Sequence, residues 1–145
     1  MNRLRRIVYV SRAVAGAPLS EQRVAGFERR NAQDRITGVL LCLDHRYVQY
    51  LEGPPAEVIE CFARICADPA HEAVTALLDE AATVRIYDGW SMKMLPPAVI
   101  HLDRFRRLID AVARDRPDAG VEAFELLCDG AAALRRTQAG PAAGA

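Results

Sequence analysis

Apolar and polar residues alternate from Arg6 to Ser11, with Ile7, Tyr9 and Ser11 on one side and Val8 and Val10 on the other. A strand with apolar residues on both sides belongs in the middle of its sheet. Ala13 to Pro18, with Gly16 and Pro18, reads as a loop, and Ser20 is suited to cap a helix that begins with Glu21 and Gln22. Val24, Phe27 and Asn31 then fall at i, i+3 and i+7. This spacing predicts a helix to about Asn31, with a polar side chain at the end of the stripe that meets the sheet. Asparagine is also a common helix end, so this position alone decides nothing.

Ile36 to Leu43 is a second apolar strand, broken by Gly38, where a missing side chain suits the close approach of a helix or ligand. Asp44-His45-Arg46 makes a tight connection to a third strand ending at Gly53, so the two form a hairpin. Pro54-Pro55 opens a second helix with Val58, Cys61, Phe62 and Ile65 as its stripe, closed by Asp68-Pro69. Val74 to Leu78 reads as a fourth strand, and Trp90 to Met94 as a fifth whose alternation puts Trp90, Met92 and Met94 on one face.

The expected fold class is therefore α+β: a ferredoxin-like βαββαβ order with a fifth strand and two helices packed on one sheet face. Pro96-Pro97 marks a boundary. Beyond it, Leu102, Phe105, Leu108, Ile109 and Val112 predict one amphipathic helix, and Val121, Phe124, Leu127, Cys128, Ala131 and Leu134 another. The expected organisation is a domain over 1–96, a C-terminal two-helix appendage over 97–137, and a Gly/Pro/Ala-rich tail over 138–145 expected to be disordered.

The 145 residues, 51% of them apolar, suffice for one domain with a proper core. Formal charge is zero and the arginine clusters are short, so direct nucleic-acid binding is not expected. No apolar run approaches a membrane span and the start does not read as a signal peptide, which leads to an expectation of a cytoplasmic protein. Cys42, Cys61, Cys66 and Cys128 lack CxxC spacing and are expected to be reduced.

The chemically informative position is Gln49, on one strand face between Tyr47 and Leu51. A buried amide left unpaired costs on the order of a few kcal/mol, so Gln49 needs a partner: a bound ligand, or backbone and water at a sheet margin. Tyr9, Asn31 and Arg64 have plain readings of their own, Arg64 as a surface ion pair with Glu60. Together with Gln49, on two central strands and two helices over one face, they would offer phenol, amide and guanidinium groups to the edge of a flat heterocycle. Zinc is disfavoured: Cys61 and Cys66 point apart on a helix, and His71 lies past Pro69. No serine sits in a nucleophile elbow, no acid shares the Gln49 face of its strand, and the glycines do not form a phosphate loop.

Ile7-Val8-Tyr9-Val10-Ser11-Arg12, Arg30-Asn31-Ala32 running to Ile36-Thr37-Gly38, Gln49-Tyr50-Leu51-Glu52-Gly53, Arg64-Ile65 to His71, and Gly89-Trp90-Ser91-Met92 resemble BLUF domains, the FAD-binding blue-light sensors. The resemblance covers about residues 4 to 95. It implies noncovalent FAD between the two helices, with Tyr9, Asn31, Gln49, Arg64, Ile65 and His71 as its site and Gln49 bridging Tyr9 to the flavin. It further implies that light moves an electron and a proton from Tyr9, that Gln49 rearranges its hydrogen bonds, and that Trp90 and Met92 report this to the C-terminal helices. Arg30, where many members have a second asparagine, and Arg23, where they have an aliphatic residue, depart from that pattern. The implied output is a contact with a downstream protein, without enzymatic activity, and the helices from Leu102 and Val121, each able to offer a second stripe to another copy, lead to an expectation of a homodimer or higher oligomer. The competing expectations are a flavin-free ferredoxin-like interaction module and an acylphosphatase-like hydrolase, the latter poorly served by the loop after the first strand.

Overall fold

The computed structural model describes residues 3–14 and 21–139. Ser20, most of the loop before it, and residues 140–145 of the expected tail lie outside them. The elements run β1 (Leu4–Ala13), α1 (Glu21–Gln33), β2 (Thr37–Leu43), β3 (Arg46–Gly53), α2 (Pro55–Ala67), β4 (His71–Ala82), β5 (Lys93–Leu95), a 3-10 turn at Pro97–Val99, α3 (Leu102–Ala113) and α4 (Ala119–Ala139). The sheet order is β4-β1-β3-β2-β5. Its first four strands are antiparallel neighbours, while β5 lies parallel to β2, giving the ferredoxin-like arrangement with an added edge strand.

Alternation along the central strands divides the core in two. Ile7, Leu40, Tyr47 and Leu51 face α2, joined by Val58 and Cys61. Val8, Val10, Val39, Leu41, Val48 and Tyr50 face the other way, against Phe105 and Leu108 of α3 and Leu126, Leu127 and Leu134 of α4. The C-terminal helices thus cover the second sheet face. Gly120 permits this closeness, since a Cβ there would lie 2.3 Å from the Leu77 carbonyl oxygen.

Several expectations change in detail. β4 extends well beyond Val74 to Leu78 at both ends, and α4 takes in Gln138. The fifth strand begins only at Lys93, so Trp90 and Met92 precede the regular pleat and do not share a face. Met92 packs with Leu40 and Leu51, whereas Trp90 packs with the core beneath α4. At Gly38 the close neighbour is the adjoining strand: a Cβ would lie 1.9 Å from the Tyr50 carbonyl oxygen and 3.3 Å from Met92 Cε.

Candidate functional site

Register builds the floor of the site. Gln49 on β3 stands directly between Tyr9 on β1 and Leu40 on β2, and Leu40 in turn faces Met94 on β5. Directly paired residues project to the same sheet face, so this row presents a phenol, an amide and a leucine side by side. Tyr47 and His71 complete the floor, Arg23, Phe27, Arg30 and Asn31 of α1 form one wall, and Cys61, Arg64 and Ile65 of α2, with Asp68, form the other. They enclose a cavity of about 250 Å³. Six residues singled out in the sequence, Tyr9, Asn31, Gln49, Arg64, Ile65 and His71, meet there.

The polar groups at the cavity are specifically tied. The Tyr9 hydroxyl donates to Gln49 Oε1. Gln49 Nε2 donates to Met92 Sδ at 3.0 Å. Thioether sulfur is a weak acceptor and cannot donate, so Met92 favours the orientation in which the amide nitrogen faces it. Burial pushes the Tyr9 phenol well above its ordinary pKa, which keeps it protonated at neutral pH. Asn31 is 5% exposed, and among the described residues its side chain has one hydrogen-bond partner, the Cys61 thiol, which donates to Oδ1 at 3.9 Å. A thiol is a poor donor, so the amide retains hydrogen-bonding capacity at the cavity wall.

At the rim, Arg64 pairs with Asp34 at 3.2 Å rather than with Glu60, because Asp34 lies across the gap on the turn after α1. Arg30 reaches the same carboxylate at 3.9 Å, and Arg23 approaches Asp68 at 3.6 Å while lying over the Phe27 ring. His71 exchanges a hydrogen bond with Ser11 at 2.8 Å and packs on the Tyr47 ring. Burial lowers its pKa below the ordinary 6.5. The Ser11 partnership was accessible from the sequence, since Ser11 shares the face of Tyr9.

Met92 touches the site from below through Gln49, but Trp90 lies on the far side of the sheet. Its ring stacks on Tyr87 with centroids 6.0 Å apart, and the Arg135 guanidinium lies 4.5 Å above it. Glu52 went unrecognised as a structural partner. It is fully buried, and it accepts hydrogen bonds from Thr37 and Tyr50 and from the backbone amides of Ile86 and Tyr87. An acid on the strand face of Val48 and Tyr50, just before Gly53, was the available signal.

The donor set suits an isoalloxazine ring: a flat apolar slot with an asparagine amide, a guanidinium and a glutamine amide at its edges. Three arginines and one aspartate among the lining residues also suit a flavin that carries phosphate. No group of three or more histidine, cysteine or acidic side chains gathers for a metal among the described residues, and the four cysteines are free. Among those residues no helix is long and apolar enough to cross a membrane.

Comparisons with known proteins point the same way. Residues 4–93 match the family described as BLUF, sensors of blue-light using FAD. The chain is 31% identical over 109 residues to the blue light- and temperature-regulated antirepressor BluF of Escherichia coli, covering 75% of this chain and 25% of that protein. It is 32% identical over 94 residues to the photoactivated adenylate cyclase subunit beta of Euglena gracilis, covering 62% of this chain and 11% of that one. It thus spans a quarter or less of these curated relatives. The dark-state structure of BlrB, a BLUF protein, superposes with a TM-score of 0.70 at 30% identity, covering 92% of this chain and 98% of that chain. The photo-activated state of BlsA shares the fold at 21% identity, with a TM-score of 0.66 over 86% of this chain and 94% of that one. By its sequence, its sheet order and the cavity between its first two helices, the chain belongs to the BLUF family of flavin-dependent blue-light sensors.

Proposed function

We propose that the chain holds FAD noncovalently in the cavity between α1 and α2 and acts as a blue-light switch whose output is a protein contact. Asn31 and Arg64 hold the polar edge of the ring, Ile65 packs against it, and His71 closes the floor beside Tyr47. A bound flavin supplies blue-light absorption and an excited state that accepts an electron. Tyr9 is the donor: a phenol is oxidisable, and once oxidised it releases the proton that its hydroxyl already directs at Gln49 Oε1. Gln49 is the element that changes state, because an amide presents a donor on one side and an acceptor on the other and can exchange them. The observation that carries this reading is the chain of contacts Tyr9, Gln49, Met92, in which a soft acceptor favours one amide orientation without locking it.

Trp90 and Met92 take part in output from opposite faces, Met92 beneath Gln49 and Trp90 against α4. The helices beyond Pro97 serve as the surface for a second copy and for a downstream protein, in the cytoplasm and without direct contact to nucleic acid or membrane. Absorption spectra before and after blue light test the reading, with the extracted chromophore identified by mass. Oxidised FAD and a reversible red shift are expected. A colourless protein after reconstitution with FAD, or a flavin band that bleaches and stays bleached, overturns it. In Gln49→Leu, which keeps the bulk but neither polar function, flavin should remain while the red shift disappears.

A further inference from the structure

Glu52 is the one charged side chain fully buried among the described residues. Both its oxygens are used. Oε1 accepts from the Tyr50 hydroxyl at 2.9 Å and the Ile86 amide at 2.8 Å, and Oε2 from the Thr37 hydroxyl at 2.7 Å and the Tyr87 amide at 2.8 Å. Four converging donors suit a carboxylate, which only accepts; an amide would turn its own N–H groups against two of them. Two of the four are consecutive backbone amides at the start of the irregular segment 86–92.

The far end of that segment is held from the same strand. Gln49, three residues before Glu52, grips Met92 Sδ from the opposite sheet face. Between the two grips, the Trp90 carbonyl accepts from the Gly38 amide at 2.9 Å. The lack of a side chain at Gly38 makes the room that Met92 fills, since a Cβ there would lie 3.3 Å from Met92 Cε. The segment is therefore held near both ends by side chains of one strand, a carboxylate and an amide, which couples the placement of Ile86 and Tyr87 to that of Met92 through the backbone between.

We propose that Glu52 is a positioning residue for the Gln49 switch: by pinning Ile86 and Tyr87 it sets where Met92 lies beneath the Gln49 amide, and so how long the light state lasts. This rests on the photochemical reading above. Releasing the pin lets Met92 follow the amide and lowers the barrier to its return.

The test measures dark recovery of the red shift in the full chain for wild type, Glu52→Gln, Met92→Ala and the double variant. Absence of any red shift in the wild type sinks the photochemical reading itself. Given that shift, Glu52→Gln should load flavin like the wild type yet recover about threefold faster or more, the scale of one weakened hydrogen bond. Once Met92 is alanine, the same substitution should change recovery by less than about 1.5-fold, because the pin then has nothing to position. Wild-type recovery in Glu52→Gln, or equal acceleration with and without Met92, overturns the proposal. If Glu52→Gln does not fold, Glu52→Asp decides: it keeps the carboxylate but draws it back by one methylene from the Ile86 and Tyr87 amides, and should speed recovery about twofold. An unchanged rate in that variant overturns the proposal as well.

Discussion

The two faces of the sheet are finished differently. Beneath α3 and α4, leucines, valines and alanines interlock, and Gly120 brings α4 down onto the β4 backbone. Beneath α1 and α2 the same sheet carries Tyr9 and Gln49, and the buried side chain that α1 contributes among the described residues is Asn31. A face closed by apolar packing holds the fold together, whereas a face left with a cavity and polar walls holds something else. Stability and ligand affinity should therefore be separable by face.

The largest effect expected is on the closed side. Leu127→Ala, at a position with no exposure, should cost about 2 to 5 kcal/mol of folding stability by denaturant titration while changing flavin affinity less than about twofold. Comparable losses in both would erase the distinction between the faces. On the open side, Asn31→Ala should do the reverse: about 1 to 3 kcal/mol of flavin affinity lost by titration, with apoprotein stability nearly unchanged. Tyr9→Phe should retain flavin and lose the reversible red shift, as seen in light-minus-dark spectra.

pH sharpens the same contrast. His71 has its pKa lowered by burial, the nearby Asp68 carboxylate opposing that shift and the Arg23 guanidinium reinforcing it. The folded state thus favours neutral imidazole, and the stability tied to it is present above the ordinary 6.5 and is lost as pH falls through the lowered value. Thermal melts from pH 7.5 to 5 should show this decline, reduced in His71→Gln, where an amide can still meet Ser11. The smallest effect belongs to Arg135→Ala, which removes a cation from the Trp90 face and should cost about 0.5 to 1 kcal/mol without altering flavin affinity.

Most of the sheet was legible because period two is a property of the backbone: the facing of Tyr9, Gln49 and Leu40 follows once three strands are recognised. The site residues were found from residue type and by resemblance to a family. Trp90 was misplaced because alternation was read through a stretch that forms no ladder, where chain direction is set by long-range bonds such as that of Gly38 to the Trp90 carbonyl. The Arg64 partner was misassigned for a related reason. Helical spacing offered Glu60, but Asp34 is brought near by the packing of α2 over the turn after α1, which no local pattern encodes. The four donors around Glu52 come from three parts of the chain and leave no periodic trace.

The stack of Arg135, Trp90 and Tyr87 has a practical consequence. The chain contains one tryptophan, and it sits where α4 meets the segment leading to Met92. Its ultraviolet emission is an intrinsic label for that junction, sensitive to a guanidinium 4.5 Å from the ring, so loosening of α4 can be followed without attaching a dye.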